Sequence, residues 1–203
     1  REIGMHVLPN YVPGNLIKNE NGLLLSEGLS SRLLAVSGQQ VRYRNKKSND
    51  VFHSLPDMGA TFVDTRDWNL GGWIYVSNAE VKKPRGYGGV GALTFDSEGF
   101  VVDYRMVLRN TTQNCSGGKT PWGSWISCEE FRDGRIWQVD PMGQRPSKPI
   151  TLGSDRGLFE SFAVDVRYPH YFVTEDHLFG PLRRFSPDNV DTEDPWEELH
   201  GPG

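Results

Sequence analysis

The sequence predicts an all-β fold, a β-propeller of which this chain carries about four blades, and three observations lead there. The 203 residues include 23 glycines and 13 prolines, which argues against long helices. Candidate strands such as Trp73–Ser77, Trp125–Ser127 and Tyr171–Thr174 are short, aromatic or β-branched, and bounded by Gly, Pro and Asp. Three segments share one plan: an apolar strand ending in acid, a Gly-bearing turn, and a second strand ending at a polar turn. Their acids, Glu80, Glu130 and Asp176, fall 50 and 46 residues apart, the length of a propeller blade.

Taken in order, the chain opens on Arg1-Glu2-Ile3-Gly4, with no charged-then-apolar leader and no initiator Met. "GLLLSEGLSSRLLAVSGQ" reads as a weaker fourth copy with Glu27 in the acidic place, or as the connection from a first strand into the first blade. "ATFVDTRDW" and "ESFAVDVRY" add a strand ahead of the first and third copies. Lys82 to Gly91, rich in Gly and Lys, reads as a loop between strands, and residues 188–203, acidic and bounded by Pro and Gly, as a tail or the start of a next blade.

A formal charge of −4, with no run of five like charges, removes the usual electrostatic basis for binding nucleic acid or an anionic membrane. No apolar stretch approaches the length of a membrane span. Cys115 and Cys128 are compatible with one disulfide or two free thiols. Asn110-Thr111-Thr112 and Asn114-Cys115-Ser116 match the N-glycosylation tripeptide, a pattern common by chance. His6, His53, His170, His177 and His200 show no metal-binding spacing, and G-x-S-x-G and H-E-x-x-H are absent, so zinc and serine hydrolase chemistry has no support.

An acid repeated at the same strand end of successive blades brings carboxylates together around a propeller's channel. Crowded carboxylates repel and resist ionisation, whereas Ca²⁺, which takes six to eight oxygens, turns that crowding into a site. The candidates are Glu80, Glu129, Glu130, Glu160, Glu175 and Asp176. Cys115 adds a soft ligand that selects a transition metal beside calcium. Gly117 and Gly118 admit close backbone approach, and Lys119 beside them suits an anion, so this stretch reads as a phosphate-facing loop. Trp73, Phe95, Trp122 and Trp125 are expected to fill space between blades.

In order, "GGWIYVSNAE", "GGVGALTFDSEG", "NCSGGKTPWGSWISCEE", "IWQVDPMG" and "GLFESFAVDVR" with "FVTED" resemble the PhoX-type alkaline phosphatases, from about Leu25 to Pro187. The resemblance implies a six-bladed propeller that hydrolyses phosphate monoesters with ferric iron and calcium joined by an oxo group. It implies iron ligation by Cys115 and Glu160, and calcium ligation by Glu80, one of Glu129 and Glu130, and one of Glu175 and Asp176. It further implies an oxide or hydroxide held by the cations as nucleophile, a small-molecule phosphate ester as substrate, and a secreted or periplasmic location.

Two departures accompany the resemblance. Leu70-Gly71-Gly72 stands where the family often has Asp before the paired Gly, a change confined to a turn. The family's late motif, which supplies another iron-binding Glu and an Arg and Lys for phosphate, has no counterpart among the 27 residues after Asp176. This makes the chain read as part of a longer protein, since a ring of blades closes by pairing the first with the last. Two other functions fit the pattern: a calcium-dependent lactonase or organophosphate hydrolase using the acids and Asn78 without Cys115, and a propeller that binds without catalysing.

Overall fold

Short antiparallel strands joined by Gly- and Asp-containing turns make up the computed structural model, which describes residues 14–82, 87–190 and 192–203. The chain divides into two units, Arg1–Leu34 and Ala35–Gly203. In the first, β1 (Leu16–Lys18) pairs with β2 (Leu24–Ser26) across a turn in which the Asn19 side chain accepts from the Asn21 and Leu23 amides. Glu27 follows β2, is exposed, and belongs to this two-stranded hairpin and not to a blade-like sheet.

The second unit begins with the hairpin β3 (Gln40–Tyr43) and β4 (Lys46–Val51). Next comes a four-stranded meander of β5 (Pro56–Val63), β6 (Trp73–Ala79), β7 (Gly88–Phe95) and β8 (Val101–Thr111). A second meander has β9 (Asn114–Lys119), β10 (Trp125–Gly134), β11 (Ile136–Val139) and β12 (Lys148–Pro149), and a third has β13 (Gly157–Asp165), β14 (His170–Glu175) and β15 (Arg183–Phe185). The far end of β10 also pairs with β13, joining the last two meanders. The first strands of the three meanders lie side by side, β9 between β5 and β13. The protein is all-β, and this arrangement is consistent with part of a β-propeller.

Apolar side chains fill the spaces between these layers. Phe62, Ile74, Val76, Val90 and Leu108 of the first meander meet Trp125 and Val139 of the second. Ile126, Cys128 and Ile136 meet Phe159, Phe162, Tyr171 and Val173 of the third. Val41 and Phe52 pack on Leu93, Phe95 and Tyr104 across the other face of the first meander, where Trp73 stacks on Phe95 at 3.9 Å between ring centroids. Burial of each such side chain contributes about 1.5–3 kcal/mol. His53 sits in this last layer between Tyr104 and Ser77, where burial lowers its pKa to about 4 and keeps it neutral.

The structure differs from the sequence reading in two of its elements. Gly88–Phe95, part of which was expected as a loop, is the buried strand β7, because β6 and β8 cover both of its edges; residues 83–86 of the expected loop lie outside the described residues. The C-terminal segment is no loose tail: Pro195–Leu199 forms a 3-10 turn capped by Asp194, with Trp196 and Leu199 buried. Arg145 pairs with Asp194, Tyr171 donates to Glu198, and Leu199 joins the core between the last two meanders. Both cysteines are free thiols. Asn114 has no exposed surface, which removes it as a glycosylation acceptor in the folded chain. No helix of the described residues is long and apolar enough to cross a membrane.

Candidate metal centre

One irregularity recurs in all three meanders, and the cluster is built on it. Pairs Pro56↔Ala79 and Gly59↔Ser77 leave Asp57 and Met58 together opposite Asn78. Pairs Asn114↔Glu129 and Gly117↔Ser127 leave Cys115 and Ser116 opposite Cys128. Pairs Phe159↔Glu175 and Phe162↔Val173 leave Glu160 and Ser161 opposite Thr174. Each is a β-bulge, which breaks the alternation of the strand and re-aims a side chain. In each, the first bulged residue is a potential metal ligand: Asp57, Cys115 or Glu160.

A second recurring bond places another acid beside each of these. The Glu80 amide donates to the Leu55 carbonyl at 3.0 Å, the Glu130 amide to Gln113 at 2.8 Å, and the Asp176 amide to Leu158 at 2.9 Å. The accepting residue lies two positions before Asp57, Cys115 and Glu160 in turn. Leu55 and Gln113 take φ of 47° and 45° to reach this position, a left-handed conformation that is strained for a side-chain-bearing residue.

The outcome is a cluster of five carboxylates around one thiol. Cys115 Sγ lies 3.4 Å from Asp57 Oδ2 and 3.5 Å from Glu160 Oε1. Ligand atoms of Asp57, Glu80 and Cys115, and of Cys115, Glu130 and Glu160, lie within 4.8 Å of one another. Asp176 is close enough to raise the pKa values of Glu130 and Glu160. Burial, then Asp57 and Glu130, push Glu80 above the usual carboxylate range. Burial pushes Glu130 and Glu160 the same way, and burial with the facing Glu160 pushes the Cys115 thiol up. Among the described residues, no Lys or Arg forms an ion pair with these five acids. Oxygen donors in this number suit calcium, and a thiol among them suits a transition metal.

Strand alternation separates the members of the two acidic pairs. Glu129 points away from the cluster and is buried, its carboxylate accepting from the Thr112 amide at 2.8 Å, the Arg135 amide at 2.9 Å and Trp137 Nε1 at 3.1 Å. Glu175 accepts from Arg183 Nε at 2.6 Å. Glu130 and Asp176 are the members that face the cluster.

Gly117, Gly118 and Lys119, expected in a loop, belong to a strand. They lie within β9, where any side chain at Gly117 would strike the Ile126 carbonyl, and at Gly118 the Phe162 carbonyl. The glycines let β9 fit between β10 and β13. Lys119, about 13 Å along the strand from Cys115, donates to the Thr61 carbonyl at 2.8 Å and lies over the Phe62 ring.

Asp57 is the candidate ligand that sequence reasoning missed. The signal was the shared Val-Asp-x-Arg ending of β5 and β13, since Asp57 stands seven residues before Asp64 and Glu160 five before Asp165. That offset of two hid the equivalence.

The sequence profile of the family described as alkaline phosphatase PhoX matches residues 28–188. No curated protein and no solved structure matches the chain. The matched stretch takes in all three meanders and every member of the cluster, and the chain belongs to the PhoX alkaline phosphatase family.

Proposed function

We propose that the cluster holds iron and calcium and serves the hydrolysis of phosphate monoesters. The observation that carries this reading is the threefold bulge, which turns Asp57, Cys115 and Glu160 toward one point. Cys115 and Glu160 would hold the iron. Glu80, Glu130 and Asp176, with Asp57, supply the hard oxygens for calcium. Bound cations supply the Lewis acidity that polarises the phosphoryl oxygens.

The chain's own part is to hold and orient. With five acids and no paired Lys or Arg among the described residues, the empty cluster repels a phosphate dianion. Cations held by these acids would offset that charge. No side-chain nucleophile is required.

The lactonase alternative needs Asn78 as a calcium ligand, and Asn78 is spent elsewhere: its amide makes four hydrogen bonds away from the acids. The test is turnover of 4-nitrophenyl phosphate by protein supplied with iron and calcium. Activity that falls at least about a hundredfold in Cys115→Ala supports the proposal. Lactone turnover indifferent to Cys115→Ala replaces it with the lactonase reading, and metal binding without turnover of either substrate replaces it with a binding module.

A further inference from the structure

Each bulge faces one residue of the neighbouring strand, and these three residues differ: Asn78, Cys128 and Thr174. Asn78 alone carries an amide, and it reaches past its own bulge into the next one. It has no exposed surface. Its Nδ2 donates to the carbonyls of both Cys115 and Ser116, each at 2.9 Å. Its Oδ1 accepts from Trp125 Nε1 and Ser127 Oγ, again at 2.9 Å each. An indole N–H only donates, so Trp125 fixes which end of the amide is oxygen and which is nitrogen.

Successive carbonyls of a regular strand point to opposite edges and cannot both meet one nitrogen. Here they do, because the bulge turns Cys115 and Ser116 to the same side. The residue before them is also fixed: Asn114 Nδ2 donates to Ser127 Oγ at 3.0 Å and its Oδ1 accepts from Thr111 Oγ1 at 2.6 Å. Apart from Cys115, which is partly exposed, the residues of the network are buried, so a bond broken among them leaves an unsatisfied polar group.

We infer that Asn78 is a positioning residue, a clamp that holds the Cys115–Ser116 bulge and thereby sets the direction of the Cys115 thiol into the acidic cluster. The clamp itself is independent of any metal; its consequence for metal binding rests on the reading of Cys115 as a ligand.

Two substitutions separate clamping from general support of the core. Asn78→Asp keeps the acceptor for Trp125 and Ser127 and removes both donors to the bulge. Trp125→Phe removes one bond of the same network and part of the core but leaves those donors in place. Asn78→Leu, close in volume and uncharged, is the second clamp variant. Folding of each is checked by amide protection in β13 and β14.

In metal-free protein, hydrogen exchange across residues 113–119 is expected to quicken about tenfold in either Asn78 variant and to change less than about twofold in Trp125→Phe. Cobalt(II) titration, followed by thiolate-to-cobalt absorption, is expected to weaken about tenfold or more in the Asn78 variants and little in Trp125→Phe. Exchange unchanged in both Asn78 variants overturns the inference, as does equal loosening in Trp125→Phe. A wild-type protein with no thiolate-to-cobalt band contradicts Cys115 as a metal ligand, while the exchange measurement still decides the clamp.

Discussion

The two ends of the meanders treat their acids in opposite ways. At one end, Asp64 and Asp165 each close onto an arginine two residues later: Arg66 donates to Asp64 at 2.8 and 2.6 Å, and Arg167 donates to Asp165 at 3.0 Å through both its Nε and its guanidinium nitrogen. Although burial opposes it, Arg66 with Asn69 holds the Asp64 carboxyl down at about 2. At the other end, Glu80, Glu130 and Glu160 are pushed up by burial and by neighbouring acids, and among the described residues no arginine or lysine is paired to them. The meanders therefore carry internal counterions at one end and crowded acids at the other. The cluster is therefore no by-product of an acidic composition: the fold gives Asp64 and Asp165 an arginine each, whereas at the bulges no basic partner lies among the described residues.

The comparison breaks most visibly at Asp64. Asp64→Ala leaves Arg66, whose side chain is 8% exposed, without its partner, and is expected to lower unfolding free energy by about 3 kcal/mol in urea. Loss below about 1 kcal/mol would mean that the closed end is not held by its ion pair. At the cluster, Glu80→Gln is expected to act with the opposite sign in metal-free protein, raising its melting midpoint by a few degrees, on the order of 1 kcal/mol, while weakening the rise that calcium produces. A lowered metal-free midpoint contradicts the picture of unrelieved repulsion.

The pH dependence follows the same division. Carboxyls raised above their unfolded values favour the folded metal-free state below the carboxylate range, and that advantage is lost as pH rises through their folded pKa values. Protons compete with cations for these groups, so the calcium-induced rise in midpoint should shrink as pH falls from 8 toward about 5. The contribution of Asp64, with its lowered pKa, stays intact over that range and is lost only as pH falls from its ordinary value of 3.8 through about 2. A calcium shift constant from pH 8 to 5 would place calcium elsewhere. The smallest effect is expected at Asp165, whose arginine partner is 77% exposed: Asp165→Ala should leave the urea midpoint within measurement error.

Much of this was legible in the sequence, and the rest was hidden for definable reasons. The blade-length spacing of Glu80, Glu130 and Asp176 marks three meanders because each acid is pinned by the same backbone bond. Choosing Glu130 over Glu129 and Asp176 over Glu175 needed the strand register, since adjacent residues differ only in which face they take. Asp57 was obscured because β5 runs two residues longer than β13 between its bulge and its Val-Asp-x-Arg end. Gly117 and Gly118 resembled a ligand loop because the same property, backbone without a side chain, serves the close packing of β9 between two neighbours. Residues 188–203 read as a tail or the start of a next blade from their composition, yet Trp196 and Leu199 anchor them.

On this reading the bulged ends of β5, β9 and β13 form one metal centre. Metal analysis of the purified protein and of Cys115→Ser, together with their visible absorption spectra, tests it most directly. The account predicts iron and calcium in the wild type with a thiolate-to-iron band, and in Cys115→Ser loss of band and iron with calcium retained. A folded wild type that takes up neither metal when both are supplied, and stays colourless, would contradict it.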